Sequence, residues 1–292
     1  MGRVRQSSFL NALPYSLVLL GVALIVLAAF NSWALRSQAG SGSVSTLAQS
    51  QTSTDLLLER LQERLRSYPA DQDAYLGLGS AYLQKARETG DPSYYARGEE
   101  ALLKALELDP DSAQAMTLLG GVALGRHEFQ KALEWAERSL EINPSYAGAY
   151  GVLGDAQVEL GRYEAAFASF QRMVDLKPNL DSYARVSYAR QLTGDIEGAV
   201  AVMQRAVASS RPETEGAAWA RVQLGDLYFN SGRTDEAAEQ YEAALTDFND
   251  YHLALAALAK VRAAQGQYAE AIRFYEQAVA IIPQPTTLAA LG

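Results

Sequence analysis

Apolar residues recur through AGAYGVLGDAQVELGRYEAAFASFQRMVDLKPN, residues 147–179, in steps of three and four, in two runs that meet at Gly161. Tyr150, Leu153, Gly154 and Leu160 mark the first run; Tyr163, Ala166, Phe170, Met173 and Leu176 mark the second. That spacing predicts two helices, each with its apolar set on one face. Gly161 is placed to take the left-handed conformation that closes the first helix, and Pro178 stops the second. Gly154 and Ala166 lack bulk where the two helices must cross closely. Neither helix can bury its face alone, so the pair needs like neighbours.

The neighbours are present. At a period of 34 residues upstream lie Met116, Leu119-Gly120, Phe129, Ala132 and Pro144. Downstream, less regularly, come Val186, Gly194, Ala199 and Met203, then Leu224-Gly225, Tyr228, Gly232, Ala237 and Tyr241, then Leu258, Gly266, Tyr268, Ala271, Tyr275, Ala278 and Pro283. The pattern resembles the tetratricopeptide repeat, whose signature sets an aromatic, Leu-Gly, Tyr, Ala, a second aromatic, Ala and Pro at fixed offsets. The resemblance covers about residues 56–292. It implies an all-α, right-handed superhelical solenoid of helix-turn-helix units: a capping helix over 55–68, six repeats at about 72–112, 113–146, 147–179, 180–213, 218–251 and 252–284, and an incomplete seventh over 285–292.

Two stretches break the period. The first repeat is seven residues too long, with the excess in KARETGDPSYYARGEEA between its helices, where Gly90-Asp91-Pro92 marks a turn. A second excess lies at residues 209–216. Asp55 is placed to cap the helix that precedes the first repeat. Ala271, Tyr275, Ala278 and Ile282 are expected to face the next repeat at the far end, an apolar surface open to a partner or to self-association.

The amino-terminal part has a different grammar. Residues 1–13 form a polar tail with Arg3 and Arg5; residues 14–35, PYSLVLLGVALIVLAAFNSWAL, form an uncharged run long enough to cross a bilayer, with Tyr15 and Trp33 near its ends. We read it as a retained single-pass membrane anchor, because the run continues past Phe30 through Trp33 and Leu35. A cleaved signal peptide, with residues 17–30 as its apolar centre and Ala39 before the cut, is the competing reading and would give a secreted repeat protein. Arg3, Arg5 and the amino terminus against Arg36 favour a cytoplasmic N-terminus and repeats on the extracytoplasmic side. Residues 36–54, rich in Ser, Gly and Gln, read as a flexible tether holding the repeats on the order of 25 Å from the membrane.

Composition narrows the function. The 292-residue chain has no cysteine, so disulfides, thiolate metal sites and cysteine nucleophiles are excluded. The net charge is −9, and residues 1–54 hold three arginines and no acid, so the repeats carry −12, a charge that argues against nucleic-acid binding. The two histidines, His127 and His252, fall in different repeats and read as surface helix residues. There is no G-x-S-x-G, phosphate loop or H-E-x-x-H, so the chain reads as a non-enzyme without cofactor or metal.

In tetratricopeptide proteins the first helix of each repeat lines a groove that holds partner segments. Applied to this chain, that resemblance points to Asp73, Leu76 and Leu83 in the first repeat, Gln114, Thr117 and Leu124 in the second, and Asp155, Val158 and Glu159 in the third. Asp181, Tyr188 and Gln191 follow in the fourth, Trp219, Val222, Asp226, Phe229 and Asn230 in the fifth, and Lys260 in the sixth. Five acids against one lysine imply a basic or neutral partner segment with apolar anchors. Ser80, Gly121 and Asp155 stand where the chaperone-binding members of the family carry a basic clamp, so that partner class is not implied. The expected function is a membrane-tethered scaffold supporting the assembly of a membrane or envelope complex; a permanent accessory subunit of such a complex is the alternative.

Overall fold

The computed structural model describes residues 52–291. The expected tail, anchor and most of the tether lie outside these residues. Among the described residues there are fourteen α-helices and no strand. None of these helices is long and apolar enough to cross a membrane.

Helix α1, Ser53–Ser67, precedes six antiparallel pairs. They are α2 and α3 (Gln72–Thr89, Ser93–Leu108), α4 and α5 (Ala113–Gly125, Phe129–Ile142), α6 and α7 (Ala147–Glu159, Tyr163–Leu176), α8 and α9 (Leu180–Leu192, Ile196–Ser209), α10 and α11 (Glu215–Asn230, Thr234–Asp247), and α12 and α13 (His252–Ala264, Tyr268–Ile281). A short α14, Pro285–Leu291, lies on α13. Each first helix packs on its own second helix, and each second helix packs on the next first helix, so the core runs the length of the stack.

The Leu-Gly position explains how closely the helices cross. A Cβ on Gly154 would enter the ring of Phe170 on the paired helix, and one on Gly225 would enter the ring of Tyr241. Phe170 and Tyr241 are 1% exposed, among the largest fully buried side chains. Glycine on the first helix thus makes the space into which the second helix inserts an aromatic. Gly161 takes φ +74, as the repeat turn requires. His127 occupies the same turn position one repeat earlier with φ 60, so it is a strained turn residue and not the surface helix residue its neighbourhood suggested.

Helix starts and lengths depart from expectation in three places. Thr52 caps α1: its hydroxyl accepts from the Asp55 backbone N–H, and the Asp55 carboxylate accepts from the Thr52 N–H. Asp55 is therefore the return arm of a capping box and the helix starts a turn earlier than predicted, inside the expected tether. The buried Lys85 side chain bonds the same aspartate at 2.6 Å, holding α1 on α2 and keeping that carboxyl below its ordinary value. The excess in the first repeat is helix more than loop, since α2 runs 18 residues where α4, α6, α8 and α12 run 13. Likewise α10 runs 16 residues.

Candidate functional site

The first helices differ from the second in kind. A first helix lies between its own partner and the neighbouring repeats, so apolar residues are required around most of its circumference; a second helix keeps an outer face in water. The consequence is that much of the expected lining is core. Leu76 is 7% exposed and packs with Leu83, Leu102, Leu119 and Val122. Thr117 and Val222 are buried as well. Trp219 and Phe229 are half-buried against the large cluster built on Leu224, Tyr228, Tyr241 and Leu258. Leu76 is thus corrected from groove residue to core residue, because the stripe that meets α3 and α4 includes it.

Two hollows lie along the first helices of the described residues. One, of about 310 Å³, is lined by Leu124, Asp155, Val158, Glu159 and Tyr188 together with His127 from the turn after α4 and Phe129 at the start of α5. Five expected groove residues, Leu124, Asp155, Val158, Glu159 and Tyr188, meet in it. Asp155 is not a free acid: Arg185 on the next first helix donates to it from Nε at 2.9 and 3.0 Å and from Nη2 at 2.7 Å. Glu159 is exposed, and among the described residues it has no ion-pair partner. Tyr188 keeps 44% of its surface in solvent. Burial, and after it the charge of Glu159, pushes its phenol above the ordinary value.

The second hollow, of about 230 Å³, lies between α10, α12 and α14 and is lined by Val222, Gln223, Asp226, Leu253, Lys260, Tyr275, Thr287 and their neighbours. Asp226 accepts a hydrogen bond from the Tyr241 hydroxyl at 2.8 Å. Burial raises its carboxyl above the ordinary range, with the Tyr241 bond and Lys260 acting the other way. Tyr275 belongs to this wall; Ala271, Tyr275 and Ala278 are buried, so they are not the open face expected at that end. The exposed apolar residues there are Tyr268, Ile272, Ile281 and Leu288. His252 is half-buried at the start of α12, its Nε2 3.1 Å from the side-chain nitrogen of Gln284, and burial keeps its imidazole below the ordinary value.

Asp73, Gln114, Gln191 and Asn230 are exposed on their helices and line neither hollow. Sequence reasoning missed Arg185, His127 and Phe129. The signal for Arg185 was its place on the next first helix, 30 residues beyond Asp155, within reach across one repeat. Among the described residues no group of three or more histidine, cysteine or acidic side chains is arranged to hold a metal ion.

Family models described as the tetratricopeptide repeat match residues 93–147, 147–180 and 222–284, together about half of the chain. None of the curated proteins compared matches it. Among solved structures, the chain is similar to the APC/C hetero-tetramer Cut9–Hcn1, with a TM-score of 0.63 and 17% identity over 82% of this chain and 45% of that one; it thus spans less than half the length of that relative. It is similar to a thermophilic repeat protein of Thermus thermophilus, with a TM-score of 0.55 and 24% identity over 69% of this chain and 99% of the other. It is also similar to PilW, described as a widely conserved type IV pilus biogenesis factor, with a TM-score of 0.56 and 18% identity over 73% and 97% of the two chains.

Proposed function

Since this chain belongs to the tetratricopeptide repeat family, whose members are protein-binding scaffolds, we propose that the face lined by its first helices holds a segment of a partner protein, basic or neutral and anchored by apolar side chains. The observation that carries this reading is the hollow between α6 and α8, where the exposed Tyr188 ring, the apolar Leu124 and Val158 and the unpaired Glu159 share one concave wall. Aromatic side chains in pockets commonly dominate such interfaces, and an acid there repels acidic segments.

The uncharged run over residues 14–35 supports the second half of the proposal: a single-pass anchor that keeps the repeats at the extracytoplasmic surface, where they serve the assembly of a membrane or envelope complex. Fold likeness does not choose the pathway. Hydrogen exchange tests the groove. With a peptide selected on the full chain from a random library, amides of α6 and α8 slow, while those of the second helices α7 and α9 keep their rates. Slowing confined to the second helices refutes the reading.

A further inference from the structure

The chain shows elsewhere what a tyrosine beside a glutamate takes. The Arg233 guanidinium lies over the Tyr228 ring, 4.3 Å from its centroid, and pairs with Glu236 at 2.9 Å. Arginines also cover Tyr94, Trp135 and Tyr183. Tyr188 and Glu159 share one wall, and among the described residues no lysine or arginine pairs with Glu159: the neighbouring Arg185 is committed to Asp155, and Arg190 pairs with Asp195 at 2.9 Å. The two groups open together on the 310 Å³ hollow, whose other lining residues are the apolar Leu124, Val158 and Phe129, the His127 imidazole and Asp155, already held by Arg185.

We infer that this hollow is the seat for one basic side chain of the partner segment, an arginine laid on the Tyr188 ring with its guanidinium against the Glu159 carboxylate. The inference rests on the groove reading above and narrows it to a residue type. Arginine fits better than lysine because its planar fork stacks on the ring and meets a carboxylate with two parallel bonds, while its methylenes cover Leu124 and Val158. The second hollow offers no such seat, since Lys260 already stands beside Asp226 in its wall.

The test uses the full chain in detergent micelles and peptides selected on it from a random library. Selected peptides carry arginine more often than the unselected library does. For one such peptide, Glu159→Gln weakens binding about tenfold, the scale of a charge-assisted hydrogen bond with a ring contact. Replacing the peptide's arginine by glutamine weakens binding similarly, and then Glu159→Gln has no further effect. Glu159 is exposed, so its amide variant keeps the fold, as circular dichroism checks. Peptides selected without basic residues, or an arginine peptide that binds Glu159→Gln as tightly as wild type, overturn the inference and leave the groove reading standing. A library from which nothing is retained overturns both.

Discussion

Arg185 clamps Asp155 with both Nε and Nη2, joining the first helix of the third repeat to that of the fourth. Both side chains are about 30% exposed, so the pair is partly screened. Arg185→Ala removes it and leaves Asp155 in the wall of the hollow without its partner. The expected loss is about 1 kcal/mol of unfolding free energy, read as a lower urea midpoint. A midpoint equal to wild type would show that water already screens the pair.

Two glycines seven residues apart in one repeat are expected to fail differently. Gly161→Ala places a Cβ in open space but forces a left-handed residue to carry it, at about 1 kcal/mol. Gly154→Ala sits in an ordinary helical conformation but collides with the Phe170 ring, and overpacking of that kind costs about 1–3 kcal/mol. Phe170→Leu added to Gly154→Ala recovers part of its loss, and the same substitution added to Gly161→Ala recovers none. Thermal unfolding of the variants checks the distinction, and equal rescue of both would contradict it.

The repeat and its turn glycines were legible because each position is specified by a backbone or packing need that recurs with the period: a left-handed turn at Gly161, a close crossing at Gly154. The site was legible only in part. Leu76, Trp219 and Phe229 sit on first helices at positions that the family resemblance assigns to the groove. In the stack, the paired helix and the neighbouring repeats together cover those positions, and periodicity within one helix carries no record of the neighbour. Asp155 and Glu159 are equivalent by charge in sequence; only the position of Arg185 separates the neutralised acid from the free one.

Asp226 is expected to weaken the fold when ionised. Burial raises its folded-state pKa above the ordinary 3.8, so the folded chain holds the proton more tightly than the unfolded chain. Below the unfolded value both states are protonated and there is no penalty. As pH rises through that value and then through the raised folded one, the penalty grows to its full size. Asp226→Asn keeps an oxygen to accept from the Tyr241 hydroxyl and removes the charge. Urea unfolding should show it more stable than wild type at pH 7, with the gain gone at pH 3. A gain independent of pH would mean that burial of the charge is not its source.

The amino-terminal run makes a cellular prediction. The full chain remains with membranes after an alkaline carbonate wash, and a chain starting near Thr52 is released. Recovery of a mature protein beginning at Gly40 would contradict a retained anchor.

The groove itself is tested most directly by two side chains of equal exposure on opposite kinds of helix. Tyr188 on the first helix α8 and Leu103 on the second helix α3 each keep 44% of their surface in solvent, so alanine at either site disturbs the fold to a similar small degree. The decisive measurement is the dissociation constant of a library-selected peptide for Tyr188→Ala and for Leu103→Ala, by calorimetry on the full chain. The account predicts a loss of about tenfold or more for Tyr188→Ala, the scale of a buried aromatic contact, and wild-type affinity for Leu103→Ala. Wild-type affinity for Tyr188→Ala together with a weakened Leu103→Ala would place binding on the second helices and contradict it.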